Sequence, residues 1–323
     1  MDFTIQYQLI TALYQILQEK TDAQHPLSMP ELIHELAEKG IHADRRRIYR
    51  CLESFATNGI KIQHVRVNKG HGYYLQHLFT ETEAIVLIDY IASASSISLK
   101  ETKHMISCIH STLSKHQVNT LPPIYMNPTK TENDTVIHTI QTLLPAITSC
   151  ISVEFQYFDI TIDKNKKYRK NGEKYHLTPY AIVSDNGKYY CVFYDHKHEN
   201  FSNYRLDKME NIQLTDQQDT PLNFSLPDHM RNSMKMYHGQ AATVTAKFAI
   251  SLASQVIDQF GDNIIVSYVD ATSFVASIRT TLSPTLRSWV MLFYNQIEIL
   301  YPESFREEMR TIGYHLINKY KED

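Results

Sequence analysis

Cysteine is scarce: the 323 residues contain only Cys51, Cys108, Cys150 and Cys191, and none belongs to a Cys-x-x-Cys pair. That spacing offers neither a zinc knuckle nor a disulfide framework, and four lone thiols suit a reducing cytoplasm. No apolar run approaches the ~18 residues that a membrane-spanning helix needs. The opening MDFTIQYQLITALYQILQEK lacks the basic start and small-residue cleavage site of a secretory signal. It reads instead as a helix, with Phe3, Leu9, Ile10, Leu13, Ile16 and Leu17 on one side. Missing too are a glycine-rich phosphate loop, a nucleophile elbow and a His-Glu-x-x-His pair, so no cofactor, metal ion or catalytic residue is expected. Charge of one sign is also in short supply. The net charge of −3 argues against a wholly electrostatic nucleic-acid binder. What is plentiful is apolar content, at 43 %, which speaks against wholesale disorder over a length suited to two or three domains.

The charge is uneven. Between Arg45 and Leu75 stand Arg45, Arg46, Arg47, Arg50, Lys61, Arg66 and Lys69, against the single acid Glu53. Three helices and a hairpin are predicted in this part of the chain. The first spans residues 3–19. The second is capped by Ser28, has Pro30 and Glu31 in its first turn, and ends at Gly40. The third runs from the N-cap Asp44 to about Asn58. On a helical wheel Ile48, Cys51, Leu52 and Phe55 share one side, with Arg46, Arg50, Glu53 and Thr57 opposite and Arg47 and Tyr49 flanking. An amphipathic helix with arginines at the free N-terminal end suits a major-groove recognition helix. A solvated basic helix beside an ordinary hairpin is the plainer alternative. The hairpin, Ile60–Val67 and His71–Leu75 around Asn68-Lys69-Gly70, would act as a wing that brings Lys69 and His71 near phosphates.

Thr80-Glu81-Thr82-Glu83 is a capping box that opens a helix to about Ser95, with the apolar stripe Ala84, Leu87, Ile88 and Ile91. Helices over about 99–115 and 132–144 follow, the last ended or kinked by Pro145. This connector either carries a dimer surface or packs only on its own chain. From Cys150 the pattern turns to short alternating strands, about five of them, which suit a small β-barrel. Tyr157, Tyr180, Tyr190 and Tyr204 offer ring faces for stacking, Arg205 a fork for phosphate, and His176 a further donor. Each tyrosine has a second reading as strand filling, and Arg205 a second reading as the partner of Asp207. The basic run Lys164, Lys166, Lys167, Arg169 and Lys170 reads as a solvated turn. Asp195-His196-Lys197-His198 has metal-ligand residue types but reads as a polar hairpin loop.

Residues 241–323 read strand, helix, strand, strand, helix, strand, helix, the order of a ferredoxin-like sandwich. Trp289 reads as core. The expected fold class is therefore a multidomain α+β chain. Its segments are a winged helix-turn-helix (1–78), a helical connector (79–147), a small barrel (148–219), a linker (220–240) and the sandwich (241–323).

Several motifs carry a family resemblance. Ala43-Asp44-Arg45-Arg46-Arg47-Ile48-Tyr49-Arg50-Cys51-Leu52 resembles the third-helix signature of WYL-family regulators, Val-Ser-x-Arg-Thr-Ile-Tyr-Arg-Asp-Ile, with Arg47 in place of Thr and Cys51 in place of Asp. Gly59-Ile60-Lys61-Ile62 and Gly72-Tyr73-Tyr74-Leu75 resemble that family's wing. His176-Leu177-Thr178-Pro179-Tyr180-Ala181-Ile182-Val183 resembles its Pro-containing strand. Tyr189-Tyr190-Cys191 stands where the family has Trp-Tyr-Leu. Tyr204-Arg205-Leu206-Asp207-Lys208-Met209 resembles Phe-Arg-Leu-Asp-Arg-Ile, with Ser202 where another arginine is frequent. Leu286 to Met309 resembles the family's C-terminal extension. The resemblance implies an Sm-like barrel that binds nucleotides, oligonucleotides or other anionic ligands, and DNA contacts by Arg46, Tyr49 and Arg50.

The expected function is a cytoplasmic, homodimeric, ligand-responsive transcriptional regulator. Its partners would be double-stranded DNA and a small-molecule or oligonucleotide effector, with no membrane. Two alternatives remain: an enzyme that processes nucleotides or nucleic acid with the barrel histidines, and an RNA-binding adaptor.

Overall fold

Local signals set most element boundaries in the computed structural model, which describes residues 3–67, 70–231, 233–234, 237–238, 240–261 and 264–321. The chain divides into two compact units, one ending at Asp134 and the other starting at Thr135.

In the first unit, α1 (Phe3–Lys20) leads to a short strand β1 (Leu27–Ser28), α2 (Met29–Glu38) and α3 (Arg45–Thr57). At the start of α2 the Ser28 amide and hydroxyl both donate to the Glu31 carboxylate, at 2.7 and 2.6 Å, which ties the predicted cap residue to the first turn. Gly40 closes this turn with φ +75°, a left-handed conformation favoured by glycine. Asp44 caps α3 by accepting from the Arg47 amide at 2.9 Å. The predicted stripe Ile48, Cys51, Leu52 and Phe55 is buried, and it meets Leu13, Ile16 and Leu17 of α1 and Leu32 and Leu36 of α2 in one core.

Strands β2 (Ile62–Val67) and β3 (Gly70–Leu75) form the predicted hairpin, and β1 adds antiparallel to β3, giving the order β1-β3-β2. Gly72 is required by close approach: a Cβ there would lie 2.9 Å from Pro26 Cβ and 3.0 Å from Val67 Cγ1. Helices α4 (Glu81–Ser93), α5 (Leu99–His110) and α6 (Lys115–Thr120) complete the unit. The predicted helix over about 99–115 is thus two. The Ser111 and Thr112 hydroxyls turn back onto the carbonyls of Cys108 and Ile109, at 2.7 Å each. Ser114 then caps a new helix through Gln117 and donates to Asp22 at 2.7 Å.

The second unit opens with α7 (Val136–Ser149), four residues later at its start than predicted and carried past Pro145. Proline removes one helical hydrogen bond. Here both Pro145 and Gln141, whose carbonyl loses that bond, are exposed, while Leu143 and Ala146 hold the helix to the core. Strands β4 (Ile151–Ile160), β5 (Lys166–Tyr168), β6 (Tyr175–Asp185), β7 (Lys188–Asp195), β8 (Asn200–Arg205) and β9 (Met209–Gln218) build a curled antiparallel sheet of order β5-β4-β6-β7-β8, with β9 on the other side of β4. Among the described residues no ladder joins β8 to β9, so the sheet is a half-barrel.

After α8 (Leu226–Arg231) and the short pair β10 (Ser233–Met234) and β11 (Tyr237–His238) comes a second sheet. It is formed by β12 (Gln240–Ala249), β13 (Ile264–Val269), β14 (Ser273–Leu282) and β15 (Ile297–Tyr301). Their order is β13-β14-β12-β15, all antiparallel. Helices α9 (Ala253–Phe260), α10 (Pro284–Leu292) and α11 (Glu303–Lys319) lie between and after these strands, and the strand–helix order is the one read from the sequence. Val256, Phe260, Leu286, Val290 and Phe305 fill one core with the inward residues of the sheet; Trp289 packs against it, 4.9 Å from Phe260 and 5.2 Å from Phe293 between ring centroids.

Candidate functional site

Two places in the chain concentrate recognition chemistry. The first is the outer side of α3 with the adjoining hairpin. Arg45, Arg46 and Arg50 are exposed and Arg47 is half-buried, all within the first two turns. Among the described residues no carboxylate pairs with any of the four guanidinium groups, so their charge is directed to solvent. Tyr49 is exposed and leans on the hairpin: the Tyr73 hydroxyl donates to the Tyr49 hydroxyl at 3.4 Å, with ring centroids 6.2 Å apart. Burial, then the neighbouring Tyr49, pushes the Tyr73 phenol up to about 12, so it stays a neutral donor. His71 is exposed on β3, 5.4 Å from His64 between ring centroids and opposite Arg66 in the ladder. Lys69, the expected wing-tip cation, lies outside the described residues.

Between α3 and the hairpin runs a groove of about 360 Å³ lined by Tyr49, Leu52, Ala56, His64, His71 and Tyr73, among others. His64 did not stand out in the sequence, and Tyr73 stood there only within the wing motif, because their nearness to α3 depends on how the hairpin folds back. Beneath the arginines, burial pushes the Cys51 thiol up, only partly offset by Arg47.

The second place is the curled sheet, where the six expected ligand residues fall into separate groups. Tyr157 is a correction: it is buried, packed edge-on to Tyr204 at 5.1 Å and to Tyr175 at 6.3 Å, and so offers no open stacking face. Its hydroxyl accepts from the Arg205 amide at 3.2 Å, and burial pushes its pKa up to about 12. Tyr204 is also drawn inward, within 5.7 Å of Phe155, Tyr175 and Phe193, with its phenol likewise raised to about 12 by burial. The alternating pattern that marks a strand cannot tell which face becomes core, and here aromatic filling wins at both positions.

Arg205 does use its fork, but on its own chain: Nε and Nη2 donate to the two oxygens of Asp207 at 3.0 and 2.8 Å, with Lys188 Nζ 3.8 Å from the same carboxylate. Tyr190 is half-buried directly opposite Arg205 in the ladder, so these two are adjacent. Tyr180 belongs to a separate aromatic group with Tyr194, Phe201 and Phe224, and its hydroxyl accepts from the Leu222 amide at 3.1 Å. His176 is exposed, its Nε2 3.1 Å from Gln217 Oε1. The basic run contributes more than a solvated turn. The Arg169 guanidinium sits 5.1 Å from the Tyr157 ring centre and Lys170 Nζ 4.0 Å from that of Tyr175, while Asp159 is gripped by Arg169 at 2.7 Å and Lys208 at 2.9 Å.

The two loop histidines separate. His198 Nδ1 pairs with Asp195 at 2.8 Å, and His196 Nε2 lies 3.0 Å from Thr178 Oγ1 and 3.2 Å from Asp219 Oδ2. Asp219 also accepts from the buried Ser152 hydroxyl at 2.6 Å, from Thr178, and from Gln217 at 2.8 Å. Burial would raise this carboxyl, but the hydrogen bonds and His196 outweigh it and hold the pKa at about 2. Since that lies below the ordinary 3.8, the carboxylate stabilises the fold at neutral pH, by about 2 kcal/mol, and the contribution is lost as pH falls from about 4 toward 2. Asp219→Asn should therefore lower the urea midpoint at pH 7, and its gap to wild type should narrow across that window. A gap that stayed constant with pH would contradict the assignment.

Residues 138–214 match the family model of the WYL domain. No curated protein matches the chain. Among solved structures it is similar to proteasome accessory factor B/C (PafBC) of Arthrobacter aurescens, with 16% identity and a TM-score of 0.30 over 98% of this chain and 49% of that one. It is also similar to a protein described as CRISPR Cas-related, with 11% identity and a TM-score of 0.36 over 98% of this chain and 86% of the other. The chain spans about half the length of the PafBC chain. The family likeness is therefore shown for the WYL domain at residues 138–214.

Proposed function

We propose that this chain is a ligand-responsive regulator that binds duplex DNA as a homodimer and acts by binding rather than by catalysis. In this reading α1–α3 and β1–β3 form a winged helix, α3 is the recognition helix, and the hairpin is the wing. The observation that carries it is the group of four arginines at the N-terminal end of α3, with no carboxylate partner among the described residues, on a helix whose other side is locked into the core. Such an end can reach base edges and phosphates together. His71 and Arg66 on the hairpin add contacts along the backbone.

The curled sheet is read as an Sm-like sensor and the β12–β15 layer as a ferredoxin-like extension. Support for an anionic effector comes from Arg169 and Lys170 standing over tyrosine rings. An effector can regulate only by binding the DNA-competent and DNA-incompetent states unequally. Binding to genomic fragments, measured by fluorescence anisotropy at several salt concentrations, tests the reading. A specific duplex whose affinity falls linearly with log salt is expected; no duplex preferred over bulk DNA would overturn it. Mass spectrometry of molecules that co-purify with the native protein identifies the effector class.

A further inference from the structure

The two edges of the β13-β14-β12-β15 sheet are finished differently. At one edge, β15 turns Ile297 and Ile299 into the core, 8% and 5% exposed, and carries Glu298 on its outer side. At the other, β13 reads Ile264-Ile265-Val266-Ser267-Tyr268-Val269, six residues with no charge and no proline. Ile265 is 72% exposed, Val266 52%, Tyr268 56% and Val269 59%. The pairing with β14 shows which way they face. Val266 lies opposite Ala276 and Val269 opposite Phe274, both buried, because the register shifts between Val266 and Tyr268. Residues directly opposite in a ladder point to the same side. The bulge therefore aims both valines toward the helix-covered side of the sheet, yet both stay more than half exposed. The core runs out to this edge and is left open there, whereas at β15 it is closed.

An edge strand also presents a row of unpaired backbone donors and acceptors, and natural sheets guard such rows with charge, proline or cover. Among its described residues β13 has only the bulge. We infer that β13 is an interface strand whose partner is the β13 of a second copy of this chain, paired antiparallel about a two-fold axis. Three observations favour a like copy. An antiparallel strand is complementary to itself under a two-fold. The segment has no charge to repel its own image. The centre of Ile264–Val269 falls between Val266 and Ser267, which sets Ile265 against Tyr268 of the second copy and places two apolar residues across the join. A continuous eight-stranded sheet results, and the exposed valines of each copy come under the other.

The inference deepens the homodimer part of the proposed function, and its test uses no DNA, so its failure and that of the DNA reading are separable. Sedimentation of the full chain from about 1 to about 100 µM should show a monomer–dimer equilibrium. Ile265→Lys/Tyr268→Lys, on the exposed outer side, should raise the dimer dissociation constant at least ~10-fold. Trp289 fluorescence should be unchanged, since its packing on Phe260 and Phe293 reports an intact domain. Should the lysine pair unfold the domain, cross-linking decides: Ser267→Cys in a Cys108→Ser background, which removes the exposed native thiol, should oxidise to a covalent dimer. A wild-type chain that stays monomeric, a lysine variant that dimerises like wild type, or a Ser267→Cys chain that does not cross-link would each overturn the inference.

Discussion

Replacing Arg46 and Arg50 together by alanine is expected to lower duplex affinity at least ~100-fold and to reduce the slope of log affinity against log salt by about two where both contact phosphate. The magnitude follows from what a guanidinium does at a groove. A bidentate contact to guanine is worth about 1–3 kcal/mol, and each phosphate neutralised releases about one counterion. The fold should be untouched, because both side chains are exposed on the side of α3 away from Ile48, Leu52 and Phe55, and the Asp44 cap uses the backbone of Arg47. Anisotropy on the same duplex at two salt concentrations, with circular dichroism as a fold check, measures both quantities. Undiminished binding by the double variant would remove α3 as the reading element. Substituting Arg46 alone, if it contacts a base, should relax preference at one position of the site, whereas a phosphate contact should weaken all sequences alike.

The second large effect is expected at Phe155→Ala, at about 3–5 kcal/mol of lost stability. Phe155 is fully buried at the centre of the curled sheet. Its ring lies 5.4 Å from Tyr175, 5.1 Å from Phe193 and 5.5 Å from Tyr204, so truncation strips contacts from three aromatic neighbours at once. The cavity has little means to collapse, because those rings are held in turn by Tyr157 and by Leu177 and Met209. Phe155→Leu, which keeps most of the volume, should cost roughly 1–2 kcal/mol. The urea midpoint followed by circular dichroism distinguishes the two. A near-wild-type midpoint for the alanine variant would show that this cluster is not what holds the half-barrel.

Local chemistry was readable; long-range choice was not. The helix starts at Ser28, Asp44 and Thr80 are written within four residues, since a cap and its partner are neighbours in the chain. The buried stripe of α3 followed from its period, and the strand–helix order after residue 240 from alternation. What escaped depends on distant partners. Whether Tyr157 faces a ligand or Phe155's neighbours is decided by β9 and by the amide of Arg205, 48 residues away. Asp219 collects Ser152 and Thr178 from 67 and 41 residues upstream. Pro145 reads as a helix end because its local cost is plain, while the burial of Leu143 and Ala146 that overrides it becomes visible only once the sheet is built. The open edge at β13 was equally hidden: its residues read as an ordinary strand until their exposure was known.

Cys51 stands on the underside of α3, where the resembled motif has aspartate, and burial keeps its sulfur protonated. A buried thiol in that state is a poor nucleophile, so alkylation of Cys51 should be slow while the helix stays seated. Labelling of this sulfur therefore reports the lifting of the helix from its bed.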